Sequence, residues 1–380
     1  MTLPERDTFI KVGIQQRVLP DYRAPFFELL ARQWSNGSQT GLSVFAGKPM
    51  REESIYPCDR LKGAEVYPAR NLHLLRGRFY LCWQEGLLRW LQSWQPQVLI
   101  LEANPRYLTS YAAVSWMRRR GGKVIGWGLG APGAARCGMT AILWRRFLRQ
   151  FDALIAYSQA GAEQYRAAGI ASEKVFVAPN AAAEKPTHPL PERTIPPEGE
   201  RLKVLFVGRL QERKRIDLLL RACAALPQDL QPELTIVGDG PARAELERLA
   251  QEVYSRARFS GALRGAELEA EYRQAHLFVL PGTGGLAVQQ ALGWGLPVMV
   301  AEADGTQGEL VRPPNGWLIP PGDLDALQRA MESALRDPQR LQVMGAESYR
   351  IAVEEVNLEQ MARVFAQAVE WVIKHGQSLA

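Results

Sequence analysis

The chain has 380 residues, 47% hydrophobic and 23% charged, the make-up of a globular protein large enough for two cores, and this excludes a disordered or collagen-like chain. Its net charge of +6 is unevenly spread: residues 1–190 hold 25 Lys and Arg against 14 Asp and Glu, a balance of +11, which leaves −5 for residues 191–380. No apolar run reaches the roughly 20 residues that span a bilayer, and the opening Met-Thr-Leu-Pro-Glu-Arg-Asp lacks the basic-then-apolar order of a secretory signal. A cytoplasmic location is therefore expected.

In chain order, apolar runs of strand character at 12–14, 42–45, 98–102, 124–127, 154–157 and 175–178 alternate with candidate helices at 25–32, 81–94, 107–120 and 159–168. That alternation predicts a parallel sheet with right-handed crossovers, a Rossmann-like domain over residues 1–183. Between 184 and 200 the sequence lapses into Lys-Pro-Thr-His-Pro-Leu-Pro-Glu-Arg-Thr-Ile-Pro-Pro-Glu-Gly, which reads as a proline-rich linker. A second alternation fills 201–355, with strands near 202–207, 233–237, 257–259, 277–280 and 297–300 and helices near 214–226, 241–251, 266–274 and 285–294. The tail, 356–380, contains a helix over 358–374 with Met361, Phe365, Val369 and Val372 at helical spacing.

Cys58, Cys82, Cys137 and Cys223 are scattered and read as ordinary buried thiols, and His73, His188, His276 and His375 as structural residues. The basic surplus is densest over 101–150, through Arg118, Arg119, Arg120, Lys123, Arg136, Arg145, Arg146 and Arg149. It favours an anionic surface or substrate, and the aromatic, basic run Ile142–Arg149 makes peripheral contact with an anionic membrane a candidate, against a helix simply buried on the sheet. No nucleic-acid reading motif accompanies these charges, so nucleic acid is not an expected partner.

Two segments point to an anion site. Pro281-Gly-Thr-Gly-Gly-Leu286 leaves an apolar strand and opens a helix, and Gly282, Thr283, Gly284, Gly285 and Leu286 supply backbone that comes close to a ligand together with first-turn amides. Leu202–Val207 ends in Gly208-Arg209, with Lys214 five residues on, so two cations fall at the carboxyl edge of a parallel sheet. Arg209 can grip two oxygens with a planar fork, and Lys214 supplies a compact charge.

Together with Ile236-Val-Gly-Asp-Gly-Pro241, Phe259-Ser-Gly261, Gln290-Ala-Leu-Gly-Trp-Gly-Leu-Pro-Val298 and Gly308-Glu-Leu-Val311, these segments resemble the nucleotide-sugar half of family-four glycosyltransferases over roughly residues 200–325. The resemblance implies an α/β GT-B fold, with two Rossmann-like domains facing across a cleft and a final helix that crosses back to the first. It also implies a retaining transferase that takes a UDP- or GDP-linked sugar and delivers it to a glycan or lipid-linked acceptor; no metal or other cofactor is expected, because Arg209, Lys214 and the helix amides can neutralise a diphosphate without one. Arg209 and Lys214 would stabilise the departing diphosphate, and Leu263 would lie near the base. The family's paired glutamates are absent: the first, which contacts the donor sugar, falls at Gly282, and the second, which holds the ribose, at Gln290. Glu309 remains as a carboxylate at this edge or as one partner of a surface salt bridge. Likewise the histidine usual after a first-domain strand is replaced by Leu129. Arg17, Tyr22, Arg23 and Asn104 are candidates for an acceptor pocket or ordinary loop and cap residues. Two readings stay open: an active transferase, and a catalytically silent protein that keeps the fold and the diphosphate cradle.

Overall fold

The computed structural model describes residues 10–375 except 37–39, 51, 52, 54, 76, 131–137, 198, 199 and 303–306. Two compact units emerge: residues up to Ala182 together with those from Leu358 onward, and residues Ala183–Asn357.

The first unit runs β1 (Val12–Val18), α1 (Ala24–Gln33), β2 (Leu42–Gly47), β3 (Glu65–Pro68), β4 (Arg70–Leu74), β5 (Leu81–Glu85), α2 (Leu87–Trp94), β6 (Val98–Glu102), α3 (Leu108–Arg119), β7 (Lys123–Gly128), α4 (Gly138–Leu148), β8 (Ala153–Ala156), α5 (Gln159–Ala167) and β9 (Val175–Val177). Seven of these strands form one parallel sheet in the order β3-β2-β1-β6-β7-β8-β9, while β4 and β5 pair with each other as an antiparallel hairpin outside it. Strands buried on both faces read as unbroken apolar runs, which is why Val98–Leu101 and Ala153–Ala156 are wholly enclosed. Phe45, Trp90, Trp144, Phe147 and Tyr165 fill one layer of the core.

The second unit runs β10 (Lys203–Val207), α6 (Ile216–Ala225), β11 (Glu233–Val237), α7 (Arg243–Val253), β12 (Ala257–Gly261), α8 (Gly265–Gln274), β13 (Leu277–Leu280), α9 (Leu286–Gly293), β14 (Val298–Ala301), α10 (Gln307–Leu310), β15 (Gly316–Ile319), α11 (Leu324–Leu335) and α12 (Pro338–Glu354). Its six strands are parallel in the order β12-β11-β10-β13-β14-β15. The last helix, α13 (Leu358–His375), belongs to the first unit. There Phe365 packs edge-on against Phe26 and Trp127, each at 4.9 Å, so the apolar stripe of that helix is core.

The proline-rich segment is fastened to the second unit. Arg193 donates to the carbonyls of Ala275 (2.7 Å), Gly295 (2.9 Å), Tyr272 (3.2 Å) and Trp294 (2.6 Å), closing the carboxyl ends of α8 and α9 together. Burial brings its guanidinium down to about 10. His188 stacks on Trp294 at 4.0 Å. His276 is structural too, taking the Lys203 amide on Nδ1 at 3.0 Å.

Two expectations need correction. Residues 81–94 are not one helix: Leu81–Glu85 is a strand with Cys82 and Gln84 turned inward, and Gly86, at φ +91, breaks the chain before α2. Cys58 is only half-buried, bonding through Sγ to the Arg60 carbonyl at 2.8 Å, whereas Cys82 and Cys223 are buried thiols. Cys137 and Arg136 lie outside the described residues.

Candidate functional site

In an open parallel sheet the connections leave a crevice where the strand order reverses, beyond the carboxyl ends of the strands. The first sheet reverses between β1 and β6, the second between β10 and β13. Most of the residues singled out in the sequence lie at these two places.

In the second unit, β10 and β13 are neighbours through Val204↔Leu277 and Leu205↔Phe278, so the loop of Gly208, Arg209 and Lys214 lies beside the glycine loop. Gly208 donates to Val237 O (3.0 Å) and Leu210 to Asp239 O (2.9 Å), which folds the first loop against β11 and leaves the Arg209 side chain exposed. The two loops are then stitched through Thr283. Its amide donates to Arg213 O at 3.1 Å, its hydroxyl accepts from Arg213 Nη1 at 3.2 Å, and its carbonyl accepts from Lys214 Nζ at 2.5 Å. Burial, reinforced by the Arg213 charge, pulls the Lys214 amine down to about 8.

Glycine is required here by space. A Cβ on Gly282 would run into the Arg213 carbonyl and the Lys214 backbone, and Gly284, at φ +145, leaves its Cβ position to Lys214 Nζ. The place where a first glutamate side chain would start is therefore filled by the 213–214 turn. Gly285 caps the start of α9, whose first-turn amides have no partner within the helix. Leu286 is exposed.

Gln290 is exposed on α9, and its Oε1 accepts from the buried Tyr272 hydroxyl at 3.2 Å, which fixes the amide plane. Glu309 sits on α10, which touches the start of α9: a Cβ on Gly285 would meet Leu310 Cδ1 at 3.9 Å. The Glu309 carbonyl accepts from Arg312 at 3.1 Å. Leu263 follows β12, with β11 between that strand and β10, so it is set apart from the Thr283 cluster.

In the first unit, Arg17 leaves β1 beside Glu102 at the end of β6, the Arg17 amide donating to Glu102 Oε1 at 2.7 Å. Its guanidinium makes a two-pronged pair with Glu53 at 2.7 and 2.9 Å. Burial is the largest influence and works against that charge, but the Glu53 hydrogen bond and charge together with Tyr107 and Tyr80 outweigh it and hold Arg17 above its ordinary range. Burial pushes the Glu102 carboxyl up against the opposing pull of the Arg17 amide and charge. Gln15 accepts from the Glu102 amide at 3.1 Å and bonds Gln84 through its own amide. Arg23 reaches Asn180 at 3.1 Å and lies over Trp127 at 4.8 Å, close to Tyr22 and Tyr157. Asn104 accepts from the Arg106 amide at 3.1 Å, the work of a turn residue. Leu129, where relatives of the resembled family place histidine, is 53% exposed.

Arg17, Arg23 and Asn104 thus fall at one sheet edge with Tyr22 beside Arg23, and Gly208, Arg209, Lys214 and residues 282–286 at the other. Sequence reasoning missed Arg213, Tyr272, Glu53 and Glu102. Glu102 had a signal, a carboxylate ending an apolar strand; Glu53 and Tyr272 had none, because their roles depend on partners 36 and 18 positions away.

The model for "Glycosyl transferases group 1" matches residues 192–351, and that for "Glycosyl transferase 4-like domain" matches residues 44–181. The chain is similar to the GDP-mannose-dependent alpha-mannosyltransferase of Mycobacterium tuberculosis (strain CDC 1551 / Oshkosh), 32% identical over 276 residues, 67% of this chain and 68% of that protein. It is also similar to sulfoquinovosyl transferase SQD2 of Arabidopsis thaliana, 32% identical over 154 residues, but these span 39% of this chain and only 29% of that protein. Two further curated relatives are matched over 36% and 42% of their length. Among solved structures, the apo form of the lipopolysaccharide outer core galactosyltransferase WaaB superposes with a TM-score of 0.68 over 95% of this chain and 99% of that one, at 15% identity, which is a likeness of fold.

Proposed function

The chain belongs to the group 1 glycosyltransferases and has their GT-B fold of two Rossmann-like domains, and we propose that it moves a sugar from a nucleoside diphosphate to a glycan or lipid-linked acceptor. The observation that carries this reading is the Thr283 cluster. Three cations, Arg209, Arg213 and Lys214, belong to the loop beside it at the switch point between β10 and β13, and Arg213 and Lys214 bond to its neutral oxygens. A UDP- or GDP-linked diphosphate would exchange those neutral partners for its own charge.

As the bond to the sugar breaks, negative charge grows on the departing diphosphate. Arg209, the first amides of α9 and Lys214, once it exchanges the Thr283 carbonyl for phosphate, would meet that charge, and this is the main lever available to such a site. Gln290, held by Tyr272, offers its amide to the ribose. With no side chain at Gly282, the donor sugar would meet Thr283 and Arg213 instead of a carboxylate, which supports a donor preference unlike that of relatives with the glutamate pair. Retention of configuration is part of the proposal through family resemblance. Arg17, Tyr22, Arg23 and Asn104, with Glu102, form the edge assigned to the acceptor.

Membrane proximity is supported by α4. Its Ile142 and Leu143 are 66% and 61% exposed beside exposed Arg145, Arg146 and Arg149, while Trp144 and Phe147 are buried. Among the described residues no helix is long and apolar enough to cross a membrane.

The test is release of nucleoside diphosphate from a panel of UDP- and GDP-sugars with a broad set of acceptors. We expect turnover with at least one donor, abolished or strongly reduced in Arg209→Ala. Binding without release, indifferent to Arg209→Ala, would instead identify a silent nucleotide-sugar binder.

A further inference from the structure

Where the carboxyl ends of β2 and β3 meet the start of β4, the first unit holds a cavity of about 680 Å³. The pairing Ala46↔Pro68 and the Ala69 amide, which donates to Ala46 O at 2.8 Å, shape its floor. The β4–β5 hairpin meets it with a polar side: Asn71 and His73 share the inward register with Gln84 and Cys82, while Leu74 and Trp83 are exposed on the other face. A Cβ on Gly47 would collide with the Asn71 amide, so glycine makes room for that side chain. Asn71 Nδ2 donates to Lys48 O (2.9 Å) and to Arg17 O (2.8 Å), and the Met50 amide donates to Glu53 Oε2 (2.9 Å), the carboxylate that clasps Arg17. The cavity is thereby fastened to the Arg17 edge.

A second seam joins the same two places. Pro20 and Pro57 form an antiparallel bridge, the Asp21 amide donates to Tyr56 O (2.9 Å) and the Cys58 amide to Leu19 O (2.8 Å). Tyr22 and Tyr56, on the two bridged segments, are 40% and 68% exposed.

The cavity wall is mixed in a particular way. Pro49, Pro57 and Pro68 contribute rigid apolar plates, and among them stand one carboxylate, Asp59, and one ammonium, Lys48. Among the described residues neither of these side chains has an ion-pair or hydrogen-bond partner. Arg70, also on the wall, is answered by Glu85 at 3.5 Å. The wall therefore carries no net charge. Asp59 disfavours an anion, Lys48 a cation, and both disfavour a wholly apolar guest, which would leave them desolvated. A neutral sugar suits all three conditions: its C–H faces lie on apolar plates, Asp59 accepts from neighbouring hydroxyls and Lys48 donates to hydroxyl oxygens.

We propose that this cavity is a subsite for the acceptor's own sugar chain. The acceptor is a neutral oligosaccharide whose terminal sugar lies at Arg17 and whose preceding sugar is held by Asp59 and Lys48. The proposal rests on the transferase reading and narrows its acceptor to a glycan of at least two sugars.

The test is binding of methyl mannoside, glucoside and galactoside and of the matching disaccharides to the full chain, followed by saturation-transfer NMR titration, with UDP and GDP affinity measured beside it by calorimetry. Wild type is compared with Asp59→Ala and Lys48→Ala. We expect at least one disaccharide to bind about tenfold or more tighter than its monosaccharide, and Asp59→Ala to erase most of that preference. UDP and GDP affinity should stay at the wild-type value in both variants, which reports an intact fold. Equal binding of mono- and disaccharides by wild type, or a preference that survives both substitutions, would overturn the proposal. A chain that takes UDP or GDP but none of these sugars would overturn it too, leaving the transferase reading in place. A disaccharide preference that depends on Asp59, in a chain that takes neither UDP nor GDP, would overturn the acceptor role together with the transferase reading and leave a glycan-binding site.

Discussion

The two sheets reverse their strand order in the same way, between β1 and β6 and between β10 and β13, yet the chemistry at the two edges is opposite. At the first edge charge is already answered: Arg17 is clasped by Glu53, its amide is on Glu102, and Arg23 lies over aromatic rings. At the second, Arg213 and Lys214 bond only to neutral oxygens of Thr283 and Gln211 among the described contacts, and Arg209 extends into solvent. One edge suits a neutral, hydroxyl-bearing partner that needs fixed donors and acceptors. The other suits a dianion, which needs cations that no carboxylate has neutralised.

The most direct way to break this contrast is to remove the cations. Lys214→Ala and Arg209→Ala should each cost about 1.5 to 3 kcal/mol in UDP or GDP binding while leaving affinity for the bare nucleoside nearly unchanged. Calorimetry with nucleoside and diphosphate side by side reads this, and equal diphosphate affinity in wild type and both variants would end the assignment.

On the other edge, Glu53→Gln leaves Arg17 in its place without its counter-charge. The pair is mostly but not wholly enclosed, with side-chain exposures of 15% and 24%. The expected loss is therefore about 2 kcal/mol of stability, below that of a fully enclosed pair. A denaturant titration should show it, with UDP affinity unaltered, and a change in UDP affinity of the same size would mean the edges are not chemically separate.

A third outcome follows from the Lys214 amine at about 8. A bound diphosphate stabilises the ammonium and raises that value. Affinity should then be full below pH 8 and decline above it, by at most about tenfold per unit, until the bound-state value is reached. Proton uptake on binding near pH 8.5, measured in buffers of different ionisation enthalpy, checks the sign, and Lys214→Ala should flatten the profile.

The smallest effect is expected from Gln290→Glu. The side chain is exposed and its Oε1 already faces a hydroxyl donor, Tyr272. The substitution should move the affinity for ribose nucleotides relative to 2′-deoxy analogues by about 1 kcal/mol or less, without being needed for turnover. Identical selectivity in both proteins would detach Gln290 from the ribose.

Much of this was legible in the sequence because it is local. Apolar runs of four to six residues give Val98–Glu102, Glu233–Val237 and Leu277–Leu280 their strand bounds, and a glycine loop after a strand announces the second site. The hairpin was not legible: Leu81–Trp94 carries enough apolar residues to satisfy a helical period, and only pairing with Arg70–Leu74 decides for a strand. Glycine at 282 could be read as the loss of a side chain. That the 213–214 turn occupies the vacated space, and that Thr283 gathers Arg213 and Lys214, depends on two loops 69 residues apart meeting.

By itself, then, the sequence determined the alternation of strands and helices, the two parallel sheets and the glycine loop and cations that are proposed to hold a diphosphate, since hydrophobic period, glycine and charge act within a few neighbouring residues. Tertiary structure decided which carboxylate answers which arginine, why Lys214 is a weak base, and that the hairpin turns its apolar side outward. Each of these depends on desolvation and on hydrogen-bond partners supplied by distant segments, and folding alone brings those partners within reach.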